Sequence, residues 1–600
     1  VEPPYHKDKE PRETIDKIRS ILSGLGIFPA EQWRVFSDTC FSVYLADTEI
    51  PVLAANGKGG SKLSALAGAY AELMERLQSR RLVLPSYGLM RQDPVSYPDS
   101  KVMTIDQVLN RRDFEVLYEA FDDELVREVR AKKKTFACLP YYSVRDDDVV
   151  YLPGELVALH CRSNGLCAGN TPEEALCQGI CEIMERFVAR QIFYRKMSVP
   201  TVPLTEVMGL PAGRTVKDFT DRGYHVVVKD CTLEGSFPVL AVIVSSEDRT
   251  RYRVKFGSDP LFEVALLRCL HEVAQGMDEE RFESSLLPVD WTRGPQRPWN
   301  DHETDAEYYH FLRKGLGQFP TSFLAASGTR SFGQVFVKRF TGHRDLLGHL
   351  LGLLRLKGCD IFVRDVSFLG FPSYHVYVPN MTEVYSLKTE DVRFELFESD
   401  TMKRVLLRMG QASQDELRTL ARQLEYKLTH PHMDWDRFFL RIGEICLDES
   451  SDLLSLSPRA LITLLHLCTG DWQKAYAHLA LSNPEVDSIA RTDTARSRLY
   501  AACLLAFLKL RSEDRSDEKA KAALADLYGE VVTDEIIHFT GRTDKILGCY
   551  RLPDCGDCAS CPAAPECAYE EWRKMEAGME TRMRENPIDQ KQLARIFRPR

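Results

Sequence analysis

Four polar side chains in one stretch of this sequence share a helical face. Glu174, Gln178, Glu182 and Glu185 are spaced 4, 4 and 3 residues apart. At about 100° per residue they fall within a stripe roughly 80° wide. Ala175, Leu176, Cys177, Gly179, Ile180, Cys181, Ile183, Met184, Phe187 and Val188 cover nearly every other side. A helix that is apolar all round is buried. Carboxylates side by side in an interior repel one another and lose hydration, which a cation corrects. Glu72 and Glu75 form a second such face, flanked by Ala65, Leu66, Ala67, Ala69, Tyr70 and Ala71. Magnesium suits both faces, because it takes hard oxygen ligands and joins carboxylates to substrate phosphates. Five glutamates exceed the need of one ion, so the sharper expectation is two or three ions bridging a nucleotide. A solvated stripe paired with Arg186 and Arg190 is the plain alternative, and the missing polar flanks weigh against it.

A second concentration of chemistry lies near the C-terminal end. Five of the 17 cysteines fall in Cys549-x5-Cys555-x2-Cys558-x2-Cys561-x5-Cys567. A C-x-x-C-x-x-C run aims several thiolates at one ion. Cys555, Cys558, Cys561 and Cys567 are expected to hold a [4Fe–4S] cluster or zinc, with free redox thiols as the remaining reading. Cys177 and Cys181 read as core residues, and His271 reads as structural rather than as a base.

These groups need elements to position them. Segments 61–84 and 172–195 read as helices. The runs from Tyr224 to Lys229 and from Phe237 to Val244 read as strands, and the run from Tyr374 to Pro379 is the last clear strand signal. Ala71-Glu-Leu-Met-Glu-Arg-Leu77 recurs as Cys181-Glu-Ile-Met-Glu-Arg-Phe187, 110 residues on. Asn56-Gly57 and Asn164-Gly165 precede the two copies and read as turns leading into helices. The repeat suggests one site built from both copies. From about 403 the pattern turns helical, and Gly470 to Ala480 looks like half of a tetratricopeptide unit. The expected organisation is an α/β (α+β) core over 1–400, an all-α, tetratricopeptide-like domain over 401–545, and a Cys-rich metal-binding knot with a helical tail over 546–600.

The chain has 600 residues and a net charge of −10, which argues against direct nucleic-acid binding or attachment to an anionic membrane. No run of 18 apolar residues and no secretory pattern occurs, so a cytoplasmic location is expected. Gly57-Lys-Gly-Gly-Ser61 is not a P-loop, and no dinucleotide or kinase motif stands in the sequence.

The segments Asn56-Gly-Lys-Gly with Glu72, Glu75 and Arg76, and Ser163-Asn-Gly-x-x-Ala-Gly-Asn170 with Glu174, Gln178, Glu182, Glu185 and Arg186, resemble the ATP-binding motifs of the YcaO family. Phe256-Gly-Ser-x-Pro260, Arg268 and Glu272-x-x-Gln275 supply a third matching element. The resemblance runs over most of the chain, including the helical part found in stand-alone enterobacterial-type members. It implies an ATP-grasping α/β core and activation of a peptide amide oxygen by phosphoryl or adenylyl transfer, followed by nucleophilic attack. On this resemblance Glu72, Glu75, Glu174, Glu182 and Glu185 carry magnesium. Asn170, Gln178, Arg186 and Arg268 contact nucleotide or phosphate, Lys7 and Thr14 close over it, and Glu182, Glu185 and Arg268 serve the catalytic step. Arg268 would stabilise charge on the transferring phosphoryl group.

Two positions depart from the family pattern: Gly68 and Cys167 stand where serines are usual. The sequence ends Phe597-Arg-Pro-Arg600, without the Pro-x-Pro-x-Pro tail of azoline-forming members. That favours the stand-alone type linked to ribosomal-protein methylthiolation as an accessory factor. Its expected partners are ATP, a peptide or ribosomal-protein substrate and a separate modification enzyme, with a homodimer as the expected assembly. Peptide thioamidation, azoline formation and a non-catalytic nucleotide-binding scaffold are the alternatives.

Overall fold

The structure is a computed structural model that describes residues 7–50, 53–80, 97–109, 117, 119–290, 301–315, 317–325, 335–337, 339–385, 387–430, 458–481, 494–542, 547 and 569–598. The chain divides into two compact units. The first comprises Val1–Val83, Val95–Thr389 and Glu571–Arg600, and the second Leu84–Pro94 and Glu390–Glu570.

Among the described residues the first unit holds three antiparallel sheets. One is β1 (Pro29–Ser37), β2 (Cys40–Asp47) and β3 (Ala54–Gly59), in that order. The sheet formed later in the chain runs β12-β11-β10-β9-β8, from β8 (Thr201–Val202), β9 (His225–Asp230), β10 (Val239–Ser245), β11 (Arg251–Ser258) and β12 (Leu287–Pro288). The remaining sheet runs β4-β5-β13-β14-β7, from β4 (Lys101–Thr104), β5 (Thr135–Ser143), β7 (Leu166–Ala168), β13 (Phe362–Asp365) and β14 (Ser373–Tyr377), with β6 (Asp148–Pro153) paired to β5. Strand β10 is Val-Leu-Ala-Val-Ile-Val-Ser, almost wholly buried, as a β-branched run covered on both faces should be.

Each sheet contributes one strand that leads into a long helix of the core. β3 leads to α2 (Lys62–Gln78), β7 to α3 (Pro172–Tyr194) and β11 to α4 (Phe262–Val273); α1 (Pro11–Ser23) precedes them and α5 (His343–Leu356) follows. The helix starts are set locally. Ser61 caps α2 by accepting from Ser64 N, and Thr171 caps α3 by accepting from Glu174 N, with Pro172 in the first turn.

The strand–helix crossing explains residues that look like turn formers in the sequence. Asn56 and Gly57 are not a turn; they lie inside β3, where Tyr44 pairs with Asn56 and Val43 with Gly57. A Cβ on Gly57 would stand 2.0 Å from Ala65 O of α2, so glycine here permits close helix–strand contact. Gly257 of β11 does the same, with Ala265 O of α4 at 2.4 Å. Gly165 is a turn residue as expected, with φ +85°.

Helix α3 runs through the core. Ile180, Ile183, Met184, Val188 and Ile192 pack with Tyr252, Phe256, Leu346, Leu350 and Val376 from the neighbouring elements. Each such side chain contributes about 1.5–3 kcal/mol on burial. The same unit recruits the far end of the chain. Helix Tyr569–Glu585 carries Glu576, whose Oε1 accepts from Arg80 Nη2 at 2.7 Å; the two side chains are 8% and 2% exposed.

The second unit, among the described residues, is helical. Its helices include Gln414–Thr429, Pro458–Thr469, Trp472–Ala480, Thr494–Ser512, Asp517–Tyr528 and Glu530–Thr540. Gly470, at φ +76°, closes Pro458–Thr469 and turns the chain into Trp472–Ala480, which Asp471 caps. Leu461, Leu465, Leu420 and Leu424 form one apolar cluster, and Ala475, Phe507, Leu508 and Leu524 another. Cys549, Cys555, Cys558, Cys561 and Cys567 lie outside the described residues. Among the described residues no helix is long and apolar enough to cross a membrane.

Candidate functional site

The three strand–helix units share one spacing. Gly57-x7-Ala65-x6-Glu72-x2-Glu75, Cys167-x7-Ala175-x6-Glu182-x2-Glu185 and Gly257-x7-Ala265-x6-Glu272-x2-Gln275 each run from strand to helix. The third copy places Glu272 in register with Glu72 and Glu182. All these acidic side chains are half-buried.

The units meet around Lys58 of β3. Its ammonium pairs with Glu272 and donates to Gln275 Oε1 at 3.2 Å. Lys255 of β11 reaches the same carboxylate, 3.5 Å from Glu272 Oε1. Arg76 pairs with Glu72, and Arg186 Nε donates to Glu182 Oε1 at 3.0 Å. Burial pulls Lys58 below its ordinary range; Glu72, Glu185 and Glu182 oppose that, and Arg268 adds to it. Burial brings Lys255 down to about 7, helped by Arg253 and Lys58.

The acids are pushed the other way. Burial raises Glu75 well above the usual carboxylate range, and Glu182 and Glu72 reinforce it against Arg76 and Arg186. Burial lifts Glu185 to about 7; Arg186 opposes the rise and Glu182 adds to it. Glu72, Glu75, Glu182 and Glu185 therefore form one electrostatic group spanning α2 and α3. Carboxyls driven toward protonation are stabilised as anions by a divalent cation. The donor set is all oxygen, which fits magnesium.

Glu174 stands apart from these four. It lies two turns earlier on α3, about 12 Å along the axis from Glu182. It is 3% exposed and accepts from Asp8 N at 3.0 Å and from Asn170 Nδ2 at 3.2 Å, with Lys7 Nζ at 3.4 Å. Thr14 Oγ1 donates to Asn170 Oδ1 at 2.8 Å. Asp8 also meets Thr171 and, at 2.6 Å, His343 Nδ1 of α5. Lys7 and Thr14 are thus brought to Glu174 and Asn170. Arg268 Nη2 lies 3.3 Å from Asp259 Oδ2. Burial raises Asp259, while Arg268, Leu261 N, Lys7 and His343 hold it down. Arg268 acts on Lys58, Glu185 and Asp259, so its charge reaches both ends of the array. Gln178 sits between them on α3, half-buried.

The two departures from serine differ physically. A Cβ on Gly68 would meet only Lys58 O, at 3.9 Å, so packing does not require glycine. Cys167 is fully buried with Sγ 3.6 Å from Tyr374 O, and burial raises its thiol well above the ordinary value. Cys177 and Cys181 are buried, with thiols raised by burial, as core residues should be. Burial, then Lys58, lowers His271 to about 4, which keeps it neutral.

Sequence reasoning gave no role to Lys58, Lys255, Asp8, His343 or Asp259. The shared spacing of the third copy is the signal that could have drawn attention to the neighbours of Glu272. Asp8 and His343 are 335 residues apart, and no spacing predicts their meeting.

Three strand–helix units with acid on the same helical turn define the class. A family model described as YcaO cyclodehydratase, ATP- and Mg2+-binding, matches residues 56–382. The chain belongs to the YcaO family. An uncharacterized protein of Haemophilus influenzae is 25% identical over 545 residues, covering 87% of this chain and 90% of its own length. The ribosomal protein S12 methylthiotransferase accessory factor YcaO of Escherichia coli is 25% identical over 555 residues, with the same coverage of 87% and 90%. Among solved structures, YcaO from Methanopyrus kandleri bound with AMPPCP and Mg2+ aligns with a TM-score of 0.42 and 16% identity, covering 64% of this chain and 93% of that one. A heterocyclase in complex with substrate and cofactor gives 0.46 and 18%, covering 64% and 54%. The family assignment rests on the matched model rather than on these structural likenesses.

Proposed function

We propose that the first unit uses ATP to activate a peptide backbone amide. The observation that carries the reading is the joint acidic group of Glu72, Glu75, Glu182 and Glu185 in a chain of the YcaO family. Magnesium held by these residues and by Glu174 would neutralise phosphate charge when ATP is bound. Asn170, just before α3, and Gln178 and Arg186 on it orient the nucleotide. Lys7 and Thr14 cover it from the N-terminal segment. Arg268, with Glu182 and Glu185, serves the transfer of a phosphoryl or adenylyl group to the amide oxygen, after which a nucleophile adds. The test is ATP consumption by the purified chain with cytoplasmic polypeptides, reading nucleotide products and substrate mass together. A peptide-stimulated turnover that Glu182→Gln abolishes supports the reading; unchanged turnover in that variant removes it.

The finer role is an accessory factor in ribosomal-protein methylthiolation, supported by the name of the Escherichia coli relative. In this reading the helical unit, with its tetratricopeptide-like pair Pro458–Thr469 and Trp472–Ala480, recruits the modification enzyme. The protein acts in the cytoplasm as a homodimer, and the cysteine knot holds a [4Fe–4S] cluster or zinc. A second reading, a nucleotide-binding scaffold without turnover, draws on Gly68 and Cys167, which lack the family's hydroxyls. It predicts ATP binding without peptide-stimulated hydrolysis.

A further inference from the structure

The helical unit contains a cluster that the ATP chemistry does not use. Glu425 comes from helix Gln414–Thr429, His466 from Pro458–Thr469 and His478 from Trp472–Ala480. His466 Nε2 lies 2.8 Å and His478 Nε2 3.1 Å from the same oxygen, Glu425 Oε1. Their three donor atoms all lie within 4.8 Å of one another. The imidazoles are nearly parallel, 15° apart with centroids at 5.7 Å. The side chains are only 6%, 16% and 20% exposed for His466, His478 and Glu425.

Simple ion pairing explains this poorly. One carboxylate oxygen does not need two imidazoles from different helices. Two ligands on a tetrahedral zinc ion stand roughly 3.3 Å apart, given bonds of about 2.0–2.1 Å. The observed separations are close to that. The outer surroundings also fit. Glu425 Oε2 is held by Lys474 Nζ at 3.1 Å, which leaves Oε1 to face the imidazoles. His466 Nδ1 lies 4.0 Å from Asp471 Oδ2, where the carboxylate partner of a metal-bound imidazole belongs.

We propose that Glu425, His466 and His478 form a zinc site that ties three helices of the second unit together. Each imidazole binds as the neutral form through Nε2, with its proton on Nδ1. Glu425 supplies Oε1, and a water completes four-coordination.

The test uses the full chain stripped of metal and reloaded with zinc or cobalt in excess Mg2+, which occupies the carboxylate group of the first unit. Metal per chain is measured by elemental analysis on wild type, His466→Gln and His478→Gln. Each variant is expected to bind one equivalent less than wild type and to lose the zinc-dependent rise in the helical unit's melting temperature. Cobalt separates this site from the cysteines, because only thiolates give strong near-ultraviolet charge transfer. The expected cobalt spectrum of wild type includes a visible component, titrating apart from the thiolate charge transfer, that both substitutions remove while the thiolate site's own visible and near-ultraviolet bands persist. Equal metal content in wild type and folded variants overturns the proposal. If the variants fail to fold, the folded wild type decides: visible cobalt bands that titrate separately from the thiolate signal uphold the site, and a spectrum with thiolate-linked bands alone overturns it.

Discussion

The first and second strand–helix units end in the same Glu-x-x-Glu-Arg sequence, yet they bring strand and helix together in opposite ways. In the first, the small residue is on the strand: Gly57 lies beneath Ala65 and Ala69. In the second it is on the helix, where Gly179 faces Cys167 of β7, whose Sγ would be 2.8 Å from an added Cβ. The third unit follows the first, with Gly257 beneath Ala265 and Cys269. Their acids diverge differently. The first two keep a glutamate pair, while the third keeps Glu272 and replaces the second acid by Gln275. Close packing is therefore common to all three units, whereas the paired acids belong to two of them.

The largest expected effect separates the acids. Glu182→Gln should lower ATP turnover by about 10²-fold or more, the scale of losing a group that stabilises transition-state charge. Glu272→Gln removes a partner of Lys58 and Lys255 and should stay within about tenfold of wild type, about 1.4 kcal/mol. Steady-state ATPase measurements that rank the two the other way would break the distinction between the units. Next come the strand glycines. Gly57→Ala and Gly257→Ala should each cost about 3 kcal/mol by chemical denaturation, because the added methyl meets backbone that has no free rotor. A loss near zero at either position would mean that the helix is not held so close.

Acid should loosen the second strand–helix unit. His160, on the helix Gly154–Cys161 that leads to β7, is 4% exposed, and burial lowers it to about 4. Its folded value lies below the ordinary 6.5, so the unfolded chain binds the proton first. Stability is then full above about 6.5 and is lost as pH falls toward 4, by about 3 kcal/mol. Hydrogen exchange in β7 should accelerate over that window, and His160→Leu should remove the acceleration. The smallest effect probes the reversed packing. Gly179→Ala should cost about 1 kcal/mol, and adding Cys167→Gly should restore most of it, giving a favourable coupling in a double-mutant cycle. Strict additivity would show that the two residues do not share one contact.

Legibility followed the range of the interactions. Helices α2 and α3 and strands β9, β10 and β14 were readable because each is set by local periodicity and caps. The acidic stripe was readable for the same reason. Asn56-Gly57 misled, since the pair is chemically a turn former and only the helix above it shows why glycine is needed. Glu174 was read as one of a continuous stripe, but its partners Asp8, Asn170 and Lys7 come largely from a distant segment. The group of Glu425, His466 and His478 was invisible, because its members lie 41 and 12 residues apart and only helix packing unites them.

The pair formed by Arg80 and Glu576 spans 496 residues and is almost wholly enclosed. Stranding one partner of a buried pair costs about 3–5 kcal/mol. During synthesis, Arg80 emerges long before its counter-charge exists, and the whole helical unit is made in the interval. The first unit thus reaches its final stability only once helix Tyr569–Glu585 has left the ribosome. A chain cut after residue 400 would take Glu576 from that guanidinium, so removing the later residues would weaken the first unit itself.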